Sequence, residues 1–204
     1  SLLEDPTFLG GGIQSRTEDL LGINGGIRVY TTFNPATQQM AIEARDEVLR
    51  DKWGVDPFFT VSIAAMDPDN GAVRAMIGGE SFDSESQFNL ATQGRRQPGS
   101  SFKTFVLVTA LQRGIQTNDK VNGEGPCEFP EDTEPDGIYE ANNFANDDGE
   151  IAEIKDLLLS SSNCGFLKLG QLAGLNNIIS TARLMGIDSE MDPVISLPLG
   201  VEEV

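Results

Sequence analysis

The chain contains no histidine. A Ser-His-Asp triad, a Cys-His nucleophile pair and an imidazole-ligated zinc site are therefore excluded. Basic residues are scarce, 14 Lys and Arg against 32 Asp and Glu, a formal net charge of -18. Nucleic-acid phosphates would be repelled, so nucleic acid is not an expected partner. No apolar run approaches the roughly 20 residues of a membrane-crossing helix, and nothing at the start reads as a signal peptide. There are only two cysteines, Cys127 and Cys164. Sequence alone leaves open whether they meet; two free or buried thiols are the preferred reading, a disulfide the alternative. The twelve carboxylates between Glu124 and Asp156, against Lys155 alone, read as a solvated loop region. No EF-hand spacing occurs among them, and neither a metal nor a cofactor is expected.

What is present is enough for a globular domain: 204 residues, 39% of them hydrophobic. The most informative stretch is Arg96-Gln97-Pro98-Gly99-Ser100-Ser101-Phe102-Lys103. Pro98-Gly99 ends a loop, and Phe102, Phe105, Val106, Val108, Ala110 and Leu111 mark a buried helix running to a stop at Gly114. Residues i and i+3 share a helix face, so the Lys103 amine can approach the Ser100 hydroxyl. Serine needs a base to become a nucleophile, and without histidine a lysine of lowered pKa is the leading base. The tetrad is weak by itself, because 14 serines and 5 lysines would give about 0.3 such matches by chance. Ser160-Ser161-Ser162-Asn163 supplies a second polar cluster between two helical patterns, 151–159 and 164–173. Ser161 is placed to relay a proton, and Asn163 to hold a substrate amide and hydrogen-bond Lys103.

Along the chain, residues 1–26 are Gly-rich and irregular, and 27–33 read as a strand. Asn34-Pro35 opens a helix over 36–50, whose Met40, Ala44 and Val48 form an apolar stripe expected to pack. Residues 59–66 and 71–77 form a hairpin around Asp67-Pro68-Asp69-Asn70-Gly71. Gly78-Gly79 release the chain toward Ser100, 115–150 are loop-dominated, and a last helix over 176–185 closes at Gly186.

Residues 87–92, Gln-Phe-Asn-Leu-Ala-Thr, followed by Arg95 to Lys103, closely resemble the active-serine region of class A penicillin-binding proteins. Thr104 stands where that family usually has proline. The Val29-Tyr30-Thr31-Thr32 segment resembles the family's interdomain linker, with Asn34 replacing an aspartate. Leu157 to Phe166 resemble its second motif, S-x-N, and Tyr139 to Phe144 resemble a Y-x-P-x-N-Y stretch with Ala141 and Phe144 departing from it. The resemblance implies an α/β (α+β) fold of the penicillin-binding/serine β-lactamase kind, an antiparallel sheet flanked by helices, incomplete in this chain. Residues 1–56 would be the linker and 57–204 the N-terminal portion of a transpeptidase domain.

The resemblance further implies a D,D-transpeptidase that cross-links peptidoglycan stem peptides, with Ser100, Lys103 and Ser161 catalytic, Asn163 substrate-binding, and β-lactam antibiotics acylating Ser100. A third motif, K-(S/T)-G, would supply a cation and part of the oxyanion hole; residues 187–204 hold no lysine. A complementary C-terminal fragment carrying that motif is thus the expected partner, and the 204 residues alone are expected to be inactive. The whole protein is expected to be membrane-anchored, on the extracytoplasmic face. A serine β-lactamase is the alternative enzyme, although no E-x-x-L-N pattern is present; a non-catalytic β-lactam-sensing module is the alternative outside enzymes.

Overall fold

The structure, a computed structural model, describes residues 30–52, 60–79, 88–131, 135 and 137–204. Residues 1–29, 59 and 80–87, which include the whole of the expected irregular leader, the starts of the expected strands at 27–33 and 59–66 and part of the loop toward Ser100, lie outside the described residues. The chain divides into two units, Ser1–Gly94 and Arg95–Val204.

In the first unit the carboxamide of Asn34 accepts hydrogen bonds from the backbone N–H groups of Ala36 and Thr37, at 2.9 and 3.1 Å. With Pro35 at the first turn, this starts helix α1, Pro35–Asp46, which widens into a π-turn over Glu47–Lys52. Strands β1, Ile63–Met66, and β2, Val73–Ile77, form the expected antiparallel hairpin, pairing Ile63 with Ile77 and Ala65 with Ala75. A bulge between Ala65 and Met66 shifts the register. Asp67 organises the turn, accepting from Asp69 N–H and from Arg74, whose guanidinium holds that carboxyl below its ordinary range. Residues 30–34 are irregular, not strand, although Asn34 N–H bonds to Arg74 O along β2.

The expected apolar stripe of α1 does not pack: Met40, Ala44 and Val48 are all exposed. The half-buried side carries Gln38, Ile42 and Arg45 instead. Gln38 donates through Nε2 to Met76 O and accepts Met76 N–H at Oε1, both at 2.9 Å, while Arg45 donates to Gly79 O. These polar side chains satisfy backbone groups on the outer edge of β2, which an apolar stripe would leave unpaired. A short helix α2, Leu90–Gln93, follows, capped by Asn89.

The second unit is built on three helices: α3, Lys103–Gln112; α5, Asn163–Ala173; and α6, Leu175–Leu184. Their apolar faces meet in one core containing Phe102, Val106, Ala110, Phe166, Leu169, Ile178 and Ala182, each at most 1% exposed. Leu111, which was expected in this stripe, faces solvent.

Residues 115–150 hold more regular structure than their turn-rich composition suggests. Strand β3, Lys120–Asn122, pairs antiparallel with β6, Ile151–Glu153; β4, Cys127–Pro130, pairs antiparallel with β5, Ile138–Ala141. The expected helix at 151–159 is therefore β6 followed by the short α4, Ile154–Leu159. Strands of three or four residues depend on distant partners and carry little local signal.

The thiols are also paired. Cys127 at the start of β4 and Cys164 in the first turn of α5 form a disulfide, Cα–Cα 5.8 Å, correcting the free-thiol reading. The bridge sits in a small second core with Phe129, Ala141 and Leu167.

Candidate active site

Ser100 lies in a 3-10 turn, Gly99–Phe102, that runs directly into α3. The Lys103 N–H closes that turn onto Ser100 O. In 3-10 geometry residues i and i+3 eclipse, so Ser100 and Lys103 stand on one side of the turn. The loop delivering Ser100 is held from behind by the end of the chain. Gly99 N–H donates to Gly200 O at 3.1 Å, and Arg96 and Val204 exchange two backbone bonds at 3.2 Å. Gly200 has φ +71°, and a Cβ there would run into the Gly99 backbone, so a side chain would push the serine loop away.

Ser100 is exposed, while Lys103 is 1% exposed with its ammonium buried beside the Phe166 ring, 5.6 Å from the centroid. The three N–H donors of that ammonium are all directed at the second cluster. Nζ lies 2.7 Å from Ser161 O, 3.1 Å from Ser161 Oγ and 2.9 Å from Asn163 Oδ1. Among the described residues no hydrogen bond joins Lys103 to Ser100. The groups around the amine are neutral, and burial lowers Lys103 from its ordinary 10.5 to about 8. The Phe166 face favours the cation and opposes that shift, but desolvation prevails.

Ser161 reaches Lys103 by adopting a left-handed backbone, φ 54°, rare for a residue with a Cβ. Ser162 then caps α5 by accepting Gly165 N–H at 3.1 Å. Asn163 donates through Nδ2 to Asn142 O at 3.0 Å, leaving its second N–H free of that bond. The structure thus brings Lys103, Ser161 and Asn163 into direct contact across about 60 residues of sequence, with Ser100 one turn before the lysine.

The model of the penicillin-binding protein transpeptidase domain matches residues 61–198. The chain belongs to this family. Its relatives include penicillin-binding protein 2D of Bacillus subtilis, 30% identical over 88% of this chain, and penicillin-binding protein 1A of Rickettsia felis, 35% identical over 68%. The chain spans about a quarter or less of each relative's length, 25% and 17% respectively. In fold it is similar to PonA1 of Mycobacterium tuberculosis in complex with penicillin V, TM-score 0.71 at 24% identity, covering 98% of this chain and 55% of that one. It is similar also to the penicillin G acyl-enzyme complex of penicillin-binding protein A from the same organism, TM-score 0.68 at 19% identity. The class A resemblance read from residues 87–103 agrees with relatives named penicillin-binding protein 1A, and the fold is that of penicillin-binding transpeptidase domains, present here in part.

Three contributors to this transpeptidase-family site were not read from the sequence. Phe166, which the sequence marks only as the end of the S-x-N segment, forms the wall against the lysine. The disulfide anchors the residue next to Asn163. Asn143, seen only as part of a partial match, lies hydrogen-bonded beneath the Ser162–Cys164 turn. The 20-residue separation between Asn143 and Asn163 gave no local signal that they would meet.

Proposed function

We propose that this chain is the N-terminal part of a penicillin-sensitive D,D-transpeptidase, with residues 1–56 a linker and 57–204 the transpeptidase portion. The observation that carries the proposal is the buried Lys103 amine, lowered to about 8, bonded to Ser161 and Asn163 one turn behind Ser100. At pH 7 about a tenth of such an amine is neutral, against well under a thousandth for an ordinary lysine, and that form can accept a proton.

Lys103 takes the Ser100 proton as Oγ attacks the penultimate D-alanine carbonyl of a stem peptide. The tetrahedral oxygen is stabilised by backbone N–H donors, one of them from Ser100. On collapse the peptide C–N bond breaks, the departing D-alanine amine receives a proton through Ser161, and an ester to Ser100 remains. An amine of a second stem peptide attacks that ester, regenerating Ser100. The remaining Nδ2–H of Asn163 donates to the substrate amide carbonyl. β-Lactams follow the first half of this path and leave slowly. The K-(S/T)-G motif would come from a later segment of the same protein. An extracytoplasmic site is supported by the Cys127–Cys164 bridge, which persists in oxidising compartments. No described helix is long and apolar enough to cross a membrane.

The test is labelling of the full-length protein by a fluorescent penicillin. One equivalent of stable label, lost in Ser100→Ala, is expected. Rapid turnover of nitrocefin would identify a β-lactamase instead, and absence of label in a folded full-length protein would point to a non-catalytic module.

A further inference from the structure

We propose that Asn143 is a positioning residue for acyl transfer, its carboxamide holding the Ser162–Cys164 turn so that Asn163 and Ser161 are presented to Lys103. This rests on the functional reading above. Asn143 is 7% exposed, so it is shielded from substrate and acts through its neighbours. Its Oδ1 accepts from Ser162 Oγ at 3.2 Å, Asn163 N–H at 3.0 Å and Cys164 N–H at 3.2 Å. Its Nδ2 donates to Gly123 O at 2.9 Å and Asp147 O at 3.3 Å.

Two of those acceptor bonds fall on the N–H groups that open α5, donors the helix itself cannot satisfy. Ser162 takes the next one, Gly165 N–H. The preceding residue, Asn142, accepts the Asn163 side chain through its carbonyl. Asn163 is therefore held at its backbone by residue 143 and at its carboxamide by residue 142, leaving Oδ1 aimed at the lysine. Ser161 keeps its unfavourable left-handed φ because the residues after it are fixed in this way.

The site is shaped for asparagine. Aspartate would lack the donors for Gly123 O and Asp147 O, and glutamine would add a methylene to an enclosed space. That space exists because Gly149, at φ +65°, has no side chain; a Cβ there would meet the Gly123 carbonyl and Asn143 Nδ2. Between Asn143 and Gly149 the chain passes through two left-handed residues at the surface, Ala145 and Asn146.

The experiment is penicillin acylation of the full-length protein, separated into apparent Kd and limiting acylation rate. In Asn143→Ala the limiting rate is expected to fall about 30-fold or more with Kd within about three-fold, since misplacement by an ångström costs about 100-fold. Because Asn143 acts in part through Asn163, the same change in an Asn163→Ala background should cost clearly less than it does alone, about ten-fold or below, the remainder coming from Ser161. Ile178→Ala, a fully buried core change, should lower the melting temperature and leave the rate within about three-fold. If Asn143→Ala does not fold, Asn143→Leu, close to asparagine in shape but with no acceptor for the turn, goes through the same cycle with the same expectation. An Asn143 variant within three-fold of wild type, a loss that multiplies fully with Asn163→Ala, or a loss matched by Ile178→Ala overturns the proposal. If wild type takes no label, the functional reading fails; positioning is then read from amide exchange at Asn163 and Cys164, expected to quicken about ten-fold in Asn143→Ala.

Discussion

The two units are held together by different forces. In the first, the buried hydrophobic residues among those described are Ala75 and Ile77, and α1 reaches β2 through Gln38 and Arg45 rather than an apolar stripe. In the second, three helices close over a core of fully buried Phe, Leu, Ile and Val side chains, and a disulfide adds a covalent tie. Hydrogen bonds to water compete with the first kind of contact, whereas burial of apolar area gains at about 25 cal/mol per Å². Lys103, Ser161, Asn163 and Asn143 all belong to the second unit. A buried amine needs walls that exclude water, and the packed unit supplies them.

The sharpest way to break this contrast is Phe166→Ala. It removes a fully buried ring and should cost about 3–5 kcal/mol in denaturant unfolding. It also opens the lysine to water, so the Lys103 pKa should move back up and slow acylation at neutral pH. Met40→Ala, on the exposed stripe of α1, should stay within about 0.5 kcal/mol. Equal losses from the two would contradict the comparison.

Reducing the bridge, or replacing both Cys127 and Cys164 by serine, should cost about 2–4 kcal/mol for a 37-residue separation. Melting curves with and without reductant measure it, and intact mass reports the two hydrogens gained.

Acylation should rise with pH along an apparent pKa near 8, since only the neutral amine accepts the serine proton. The linkage sign is the same. Between about 8 and 10.5 the unfolded chain binds the lysine proton and the folded chain does not, so stability gains from Lys103 as pH rises through that window. A flat rate profile from pH 6 to 9 would exclude Lys103 as the base.

A smaller loss than those from Phe166 and the bridge is expected from the polar contacts of the first unit. Gln38→Ala removes both bonds to Met76 and should cost about 1–2 kcal/mol, seen as faster amide exchange at Met76 and unchanged acylation.

The serine-lysine tetrad, the S-x-N cluster, the Asn34 cap and the Asp67–Gly71 turn were legible because each is a short-range chemical pattern. Spacing of three residues puts Ser100 and Lys103 on one side whatever surrounds them. The stripe of α1 misled because apolar periodicity says that a face exists, not which face a sheet edge will need. β3 to β6 were hidden among turn residues: β3 pairs with β6 across 29 to 33 positions, and β4 and β5 are only four residues each.

The sequence by itself narrowed the expected chemistry, since without histidine a Ser-x-x-Lys run leaves few other ways to activate a serine. It determined, too, the family and the order of helices in the second unit. Only the tertiary structure decided that Lys103 is buried, that Cys127 meets Cys164, and that Asn143 braces Asn163 from twenty residues away. A pKa, a disulfide and a hydrogen bond between distant residues depend on distance and on exclusion of water, and both exist only once the core has closed.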